Sequence, residues 1–531
     1  MKNPANDRNA SNSFITRHQN SITGILHGFD RLRIRGTLRH LYNAPLMERY
    51  LGVAGVMWKD FKDYALGLTA RVRNSALAQA EGRGRPFIYL PSTNTRKEEL
   101  AKNIAQRDGI KEGLIAVFGC VEPCFTYFMR RDKEGKKLEL RLQNGKCQHF
   151  YFYQIHPQFG FMHLRLQSWF PFLVHVCLNG REWLSRQMDQ HGMDYHRKEN
   201  CFTWISHVAG AQRLMDKQLE TQWPETLNRL VLEHHPLSQE ICRPLNLSYY
   251  WSAEESEYAT DIMFKNPEAL GAIYPGLVHH AISSFSSPDV LRFLGRRVPA
   301  SNVVNGHFEG EVQSDLKRRP EGIRVKHSVN RNWIKIYDKQ GSVLRVETTI
   351  NNPKDFRVYR MAENKPNEKK RWLTLRKTLA DLPRRAQISE RANDRYLQAL
   401  GATSGTVPLF QWAEEVCKPV TRKGRKHRAL NPWSAQDAKL LEAVSRGEFS
   451  INGFRNRDLR SLLFTSRATP DQQRRRAAQI TRRISLLRAH GLVAKVSGTH
   501  RYILTEKGRT TITALLTARK ADVDQLTKMA A

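Results

Sequence analysis

The chain has 531 residues, and its 86 lysine and arginine residues exceed its 51 aspartate and glutamate residues, which gives a formal net charge of +35. A surplus of this size favours a polyanionic partner, so nucleic acid is the expected partner. Hydrophobic residues make up 40% of the chain, which excludes a disordered basic tail. Every apolar run is shorter than the roughly 18 residues of a membrane helix, so no membrane partner is expected.

Cysteine number and motif content narrow the class of protein further. The N-terminus is polar, and the seven cysteines are too sparse for a disulfide framework, so we expect a cytoplasmic, nucleoid-associated protein. No G-x-x-x-x-G-K-[ST] motif occurs, which argues against a nucleotide-driven motor. The charge is uneven, since residues 418–531 carry a net +17 and residues 313–391 a net +12. The basic surface is therefore expected late in the chain.

The first part of the chain is predicted to contain helices and a sheet. Apolar residues recur every three or four positions over 46–79, which is typical of a helix. Thr95 and Glu98 have the spacing of a capping box, which predicts a second helix ending near residue 108. Residues 114–178 are rich in β-branched and aromatic residues and predict an antiparallel sheet, with one polar face that alternates with the apolar side chains.

The central part is predicted to be mainly helical up to residue 304. Ser252 and Glu255 have the spacing of a second capping box and predict a helix that carries Tyr258 and Phe264. The whole chain is thus expected to be a multidomain α+β protein. Its predicted parts are a flexible N-terminus (1–20), an α+β domain (21–180), a mainly helical region (181–304), a basic domain with a β-hairpin and a helix (305–400), a basic linker (401–432) and a C-terminal unit (433–531).

The hairpin of the basic domain is the main candidate for chemistry. Residues 332–350 read NWIKIYDKQGSVLRVETTI, two alternating strands with the turn beginning at Asp338. If the four aliphatic residues Ile334, Ile336, Leu344 and Val346 face the core, the polar residues share the opposite face. The catalytic candidates are Lys335, Tyr337, Asp338, Arg345 and Glu347.

These residue types suit phosphodiester chemistry. Glu347 could bind a divalent metal such as Mg²⁺ or Mn²⁺, which is the cofactor expected for an enzyme of this kind. Tyr337, or Tyr359 further along the chain, could attack phosphorus. Lys335 and Arg345 could stabilise the negative charge that develops. A solvent-facing hairpin with a cross-strand Lys–Glu pair is the alternative interpretation.

The sequence pattern YDK…LRVE resembles motifs of the rolling-circle replication initiators of plasmids and filamentous phages. In that family, strands reading Y-(D/N)-K and R-x-E form part of the nicking core. The resemblance implies tyrosine-dependent nicking of one DNA strand with a metal bound. It covers about 20 residues, and the paired-histidine metal motif of many nicking enzymes is not evident here.

Two other groups of residues could bind metal. Cys120, Cys124, Cys147 and His149 offer the thiol and imidazole ligands of a zinc site, although their spacing is unusual. Packing of cysteines within strands is the alternative. A scattered acidic site of the two-metal kind could also assemble around Glu347. Its further members would be Asp30, Glu122, Glu311 and Asp315.

The C-terminal unit is predicted to contain three helices, a hairpin and a last helix. Ser434 begins the first helix, and Thr469 with Gln472 forms a capping box that begins the third, which Gly491 ends. The stretch LLRAHGLV…HRYILTEKG resembles bacterial winged helix-turn-helix domains, and the whole chain resembles basic bacterial proteins with such a C-terminus. That resemblance implies a third helix in a major groove and a hairpin wing along the backbone.

These observations lead to two hypotheses. The first is a DNA-processing enzyme of a mobile element or replicon, a metal-dependent endonuclease or nickase. The alternative is a binder without activity, either a DNA-binding regulator or the protein component of a structured-RNA ribonucleoprotein. The residues expected to contact nucleic acid are Arg474, Arg475, Arg476, Arg482, Arg483, Arg488, Lys495, Arg501, Lys326, Arg422, Lys423, Arg425 and Lys426.

Overall fold

The computed structural model combines α-helices with one large mixed sheet, which agrees with the expected mixture of helix and strand. It describes residues 12–92, 94–131, 138–296, 311–319, 322–362, 371–401, 409–422, 424–446, 449, 453–464, 466, 468–496 and 499–520. The predicted contact Lys423 and the turn at Gly498 lie outside the described residues. Within these ranges, no helix is both long and apolar enough to cross a membrane.

The helices surround the sheet and form most of the C-terminal region. They are α1 (Ser13–His18), α2 (Ala44–Val53), α3 (Phe61–Glu81), α4 (Lys97–Arg107), α5 (Gly180–Gln190), α6 (Val208–Lys217), α7 (Trp223–His234), α8 (Ser238–Cys242), α9 (Pro267–Gly271), α10 (Tyr274–Ser283), α11 (Ser287–Phe293), α12 (Leu382–Leu400), α13 (Leu409–Val416), α14 (Ala435–Ser445), α15 (Asn456–Leu463), α16 (Pro470–Ala489) and α17 (Glu506–Lys520).

The strands form the eleven-stranded sheet and several hairpins. They are β1 (Ile22–Thr37), β2 (Phe87–Leu90), β3 (Gly113–Arg131), β4 (Leu138–His156), β5 (Gly160–Gln167), β6 (Val174–Asn179), β7 (Tyr195–Lys198), β8 (Cys201–Ile205), β9 (Tyr250–Phe264), β10 (Gln313–Arg319), β11 (Gly322–Val329), β12 (Asn332–Lys339), β13 (Val343–Ile350), β14 (Arg357–Arg360), β15 (Arg371–Thr374), β16 (Val420–Arg422), β17 (Arg425–His427), β18 (Val493–Lys495) and β19 (Tyr502–Leu504). The order in the large sheet is β10-β11-β12-β13-β9-β1-β6-β5-β4-β3-β2, antiparallel except for the β2–β3 pair.

One sheet crosses the predicted boundaries at residues 180 and 304. Strands β3 to β6 form the antiparallel sheet expected over 114–178, and the basic hairpin β12–β13 joins the same sheet through β9 and β1. The prediction of a helix beginning at Ser252 is wrong, because this segment is strand β9. It pairs with β1 on one side and β13 on the other, and this non-local pairing outweighs the local cap signal.

The segment predicted to be a flexible N-terminus (1–20) contains a short helix among its described residues. Residues 13–18 form helix α1, which Asn12 caps by accepting a hydrogen bond from the Phe14 amide. The ring of Phe14 is fully buried in the hydrophobic cluster that also contains residues of α12. Burial of this ring favours packing of α1 against the core.

The two faces of the hairpin β12–β13 differ as predicted. Its aliphatic residues are fully buried in one hydrophobic cluster with α10, α11 and α12. These residues are Ile334, Ile336, Leu344 and Val346. Because neighbouring strands of a sheet share their pleat, the opposite face continues from β12 across β13, β9 and β1 toward β3. This polar sheet face carries most of the candidate residues.

The C-terminal segment has a hydrophobic core of its own, built from α13 to α17 and the hairpin β18–β19. Among its described residues, this segment has α14, α15, α16, the hairpin β18–β19 and α17 in that order. Ser434 and Thr469 accept the predicted capping hydrogen bonds. Gly491 ends α16 with a φ of 73°, a conformation that favours glycine.

Candidate functional site

The site is built on the polar sheet face at its middle strands. Lys335 lies opposite Glu347, and Tyr337 lies opposite Arg345, in the β12–β13 pair. Strand β9 adds Glu257, which lies opposite Thr349 two residues from Glu347. The predicted sharing of one face by the four hairpin residues is therefore confirmed, and the sheet brings further carboxylates to it.

A bulge in β1 places a third carboxylate, that of Asp30, beside Glu257 and Glu347. Phe29 pairs with Tyr258 and Arg31 pairs with Glu257, so Asp30 is an extra residue on β1. β-Bulges re-aim side chains and are common next to functional sites. The ligand oxygens of Asp30, Glu257 and Glu347 all lie within 4.8 Å of one another. We call these three residues the carboxylate group.

Lys335 supplies the positive charge that this group needs. Its Nζ donates to Oε1 of Glu347 at 2.6 Å and to Oε1 of Glu257 at 3.4 Å. Burial alone would raise the pKa of Glu347, but the Lys335 ammonium and the hydrogen bonds that Glu347 accepts hold that pKa below its ordinary value. Burial, and then the negative charge of Glu347, raise the pKa of Glu257. The two carboxylates therefore compete for one cation.

Tyr337 contacts the carboxylate group directly. Its hydroxyl donates to Oε2 of Glu347 at 2.6 Å. Burial, and then the neighbouring negative charge of Glu347, raise the pKa of Tyr337 well above its ordinary value. The tyrosine is thus a neutral donor at rest, and Glu347 is the group within reach to accept its proton.

Arg345 has a different role from the predicted one. The side chain is fully buried, and its Nε and Nη2 donate to Asp261 while Nη1 donates to Asp30 at 3.1 Å. Its Nη2 also donates to the carbonyl oxygen of Asn200, and Arg181 donates to Asp261 from the other side. Because these donors are all used inside the protein, Arg345 positions Asp30 and does not reach a phosphate.

Asp338 lies apart from the other catalytic candidates. It pairs with Leu344, whose side chain is in the hydrophobic cluster, so alternation directs Asp338 to the opposite face of the sheet. Burial raises its pKa. Its assignment to the site was wrong because Asp338 is the even-numbered neighbour of Tyr337 on strand β12, so its side chain lies on the other face of the sheet. Asp338 is therefore a matched control for carboxylate substitutions in the site.

Tyr359 also lies outside the carboxylate group. It is 57% exposed on β14, and its ring packs against Trp372 of β15, which is 62% exposed, at a centroid distance of 5.6 Å. An exposed aromatic pair of this kind suits stacking against bases. Of the two predicted nucleophiles, Tyr337 is the one that contacts the carboxylate group.

Four acidic residues were predicted to join Glu347. Among the described residues, Asp30 is the one of these four that lies next to Glu347. Glu122 accepts hydrogen bonds from Tyr151 and pairs with Arg165 toward the β3 edge of the sheet. Asp315 pairs with Arg324 on the neighbouring strand, and Glu311 is exposed. Glu257 was not expected to join Glu347, because its segment was predicted to be a helix on which Glu257 and Asp261 could share a metal; it lies instead on strand β9.

The polar sheet face is basic beside the carboxylate group. A cavity of about 360 Å³ lies over β1, β6, β5 and β4, with Arg33, Arg35 and Arg165 in its lining. At ~3.3 Å per residue, Arg33 and Arg35 lie roughly 10–17 Å along β1 from Asp30. On the other side, Lys326 of β11 lies opposite Lys335 and packs over the Trp333 ring at 4.6 Å. Cations thus flank the carboxylates on both sides.

The predicted contacts of α16 fall into two groups. Arg474, Arg475 and Arg482 are exposed. The others are half-buried, since Arg476 packs over the Phe464 ring and Arg488 over the Tyr502 ring. Arg483 is also half-buried, and burial lowers its pKa.

The remaining predicted contacts belong to short hairpins. Strands β16 and β17 carry Arg422, Arg425 and Lys426, and the last two are exposed. Lys495 is exposed on β18, and Arg501 is half-buried just before β19. The exposed cations are therefore spread over two hairpins and one helix of the C-terminal region.

The residue types of the carboxylate group fit a hard divalent cation. Three carboxylates offer the oxygen ligands that Mg²⁺ and Mn²⁺ prefer, and their oxygens are close enough to share one ion. Comparisons of the chain with models of protein families, with curated proteins and with solved structures found no match. The function therefore has to be argued from the geometry.

Proposed function

We propose that the protein is a metal-dependent DNA nickase that uses Tyr337 as its nucleophile. The observation that carries this proposal is the hydrogen bond from the Tyr337 hydroxyl to Glu347, inside a group of three carboxylates. A nucleophile, a proton acceptor and a set of metal ligands thus lie within contact of one another. The local resemblance of this hairpin to rolling-circle initiators supports the same reaction class.

Each residue of the site would have its own role in the reaction. Asp30, Glu257 and Glu347 would hold the metal ion, which when bound polarises the scissile phosphate. Glu347 would accept the proton of the Tyr337 hydroxyl as the tyrosine oxygen attacks phosphorus. The bond between phosphorus and the sugar oxygen would then break, and the sugar oxygen would take up the proton that Glu347 holds. Lys335, whose ammonium contacts Glu257 and Glu347, would place a positive charge beside the scissile phosphate.

A strand of DNA would lie along the polar sheet face. The arginines of the cavity lie on one side of the carboxylate group and Lys326 on the other, so the backbone meets cations at both ends of the site. The exposed pair of Tyr359 and Trp372 offers a stacking surface for an unpaired base. These features favour a single-stranded or locally melted substrate.

The C-terminal segment would recognise duplex DNA as a winged helix. Helix α16 presents Arg474, Arg475 and Arg482 to solvent, and the hairpin β18–β19 follows it with Lys495 at its exposed edge. In this class of domain the third helix enters the major groove and the hairpin follows the backbone. Binding of a site by this segment would bring an adjacent strand to the polar sheet face.

Formation of a covalent adduct tests the choice of nucleophile. With Mn²⁺ and single-stranded DNA, we expect wild-type protein to form a phosphotyrosine adduct that resists denaturation. Tyr337→Phe should abolish the adduct, because no other described tyrosine hydroxyl contacts Glu347, whereas Tyr359→Phe should retain it. Cleavage without an adduct would assign the reaction to water, and an adduct lost only in Tyr359→Phe would contradict the assignment to Tyr337.

Salt dependence tests the role of α16. Replacement of Arg474, Arg475 and Arg482 with alanine should lower the slope of log affinity against log salt by about 3, since each phosphate contact releases counterions. The matched control replaces three exposed arginines that pair with nearby carboxylates, namely Arg71, Arg96 and Arg107. An unchanged slope in the first variant, or an equal change in the control, would contradict winged-helix binding through this surface.

A second candidate is a nucleic-acid binder without activity. It is favoured by one observation, namely that Lys335 and Arg345 already neutralise the buried carboxylates, as they would in a purely structural network. Such a protein would copurify with a defined nucleic acid and leave it intact with Mg²⁺ or Mn²⁺. Recovery of one structured RNA would indicate a ribonucleoprotein, and recovery of one DNA sequence would indicate a regulator.

A further inference from the structure

Two cysteines and a histidine meet on the polar sheet face toward its β3 edge. In the β3–β4 pair, Cys147 lies opposite Glu122 and His149 lies opposite Cys120. Alternate residues of a strand share a face, so Cys147 and His149 project to the same side. Cys124 is the diagonal neighbour of Cys147 on β3. The sheet register thus assembles three residues that are up to 25 positions apart in the sequence.

The ligand atoms of these three residues are close together. The sulfur atoms of Cys124 and Cys147 are 3.2 Å apart, and all three residues offer a ligand atom within 4.8 Å of the others. His149 Nδ1 lies 3.2 Å from the carbonyl oxygen of Cys147. A carbonyl can only accept, so Nδ1 carries the proton and Nε2 keeps its lone pair. Metal-binding imidazoles are commonly held by such a hydrogen bond.

The donor set is soft, in contrast to the carboxylate group. Zn²⁺ binds thiolate and imidazole ligands much more readily than Mg²⁺ does. Neutral imidazole and thiolate are the forms that bind metal.

The side of the group that faces away from β3 and β4 is open. Cys124 and His149 both line the cavity of about 360 Å³, together with Arg33, Arg35 and Arg165. An ion held by three protein ligands would keep one coordination position toward this cavity, as open zinc sites do. The three guanidinium groups favour an anionic oxygen in that position, such as an oxygen of a phosphate.

We infer that Cys124, Cys147 and His149 form a zinc site whose fourth coordination position faces the arginine-lined cavity. This site differs from the carboxylate group in location, ligands and metal, so it can be present in a protein that does not cut DNA. The fourth predicted ligand, Cys120, does not belong to it, because its side chain is buried in a separate hydrophobic cluster with Phe118 and Tyr151.

Cobalt and zinc binding to the full-length, reduced protein tests the inference. We expect one equivalent of Co²⁺ to give the intense sulfur-to-metal charge-transfer absorption of tetrahedral thiolate sites, and Zn²⁺ to displace it. Cys124→Ser, Cys147→Ser and His149→Ala should each weaken binding roughly tenfold or more. Cys177→Ser is the matched control, because Cys177 lines the same cavity but lies outside the ligand group.

Two results would overturn the zinc site. The first is a reduced wild-type protein that shows no thiolate charge-transfer band with excess Co²⁺. The second is a loss of metal in Cys177→Ser equal to that in the three ligand variants. A Cys124–Cys147 disulfide found by peptide mapping in protein prepared without reductant, combined with no metal uptake after reduction, would instead assign the pair to redox chemistry. Because metal binding is read on the wild type first, an unfolded variant does not decide the outcome.

Discussion

Replacement of Glu347 with glutamine is expected to reduce metal-dependent DNA nicking by at least roughly 100-fold. The change removes one ligand of the carboxylate group and the acceptor for the Tyr337 proton, while it keeps the shape of the side chain. The rate of conversion of supercoiled plasmid to open circles, at saturating Mn²⁺, measures the effect. Circular dichroism of both proteins checks that the fold is retained.

Asp338→Asn is the control for this experiment. It makes the same change of carboxylate to amide on the same hairpin, but on the face that packs against the hydrophobic cluster. Its nicking rate should therefore stay close to that of the wild type. If Glu347→Gln and Asp338→Asn lowered the rate equally, or if neither did, the carboxylate group would not be the catalytic centre.

The second large effect concerns stability. Replacement of Arg345 with methionine is expected to lower the free energy of unfolding by about 3–5 kcal/mol, because it leaves buried carboxylates without their cation. Arg345 is fully buried, and it donates to both Asp30 and Asp261. The shift of the urea midpoint, followed by the fluorescence of the tryptophans, measures the change. Nicking should fall as well, since Asp30 loses the contact that positions it.

Arg71→Met provides the comparison. Arg71 makes a two-pronged ion pair with Glu240, and about half of each side chain is exposed. Exposed pairs of this kind contribute about 0–1 kcal/mol, because water solvates the separated charges well. If Arg345→Met shifted the unfolding midpoint no more than Arg71→Met does, the buried network would not hold the middle of the sheet together.

Local signals were enough to predict the parts of the structure that depend on neighbours in sequence. The hairpin β12–β13 follows from strict alternation around one turn, so the shared face of Lys335, Tyr337 and Glu347 was predictable. The C-terminal helices follow from their caps at Ser434 and Thr469. The capping hydrogen bonds join residues three positions apart, and the Lys335–Glu347 contact joins residues 12 positions apart across one turn.

Features that depend on distant pairing were not predictable in this way. Strand β9 was predicted to be a helix because Ser252 and Glu255 have the spacing of a capping box. Its pairing with β1 and β13 makes the segment a strand instead. No local signal shows which strands lie beside it.

The membership of the carboxylate group also depends on distant strand pairing. Asp30 joins it through a bulge in β1, and a bulge is defined only by the partner strand that lacks the extra residue. Glu257 joins it because β9 lies between β1 and β13 in the sheet. The sequence therefore pointed to Glu347 and Tyr337 and offered Asp30 among four possible acidic partners. The register of the sheet was needed to select Asp30 from these four and to add Glu257.

Diffraction from crystals soaked in Mn²⁺ tests the central claim most directly, because the anomalous signal locates the ion. We expect one strong peak at about 2.1 Å from oxygens of Asp30, Glu257 and Glu347, with the Lys335 ammonium moved away from Glu347. A crystal at saturating Mn²⁺ that shows no ion there and retains the Lys335–Glu347 contact would contradict it.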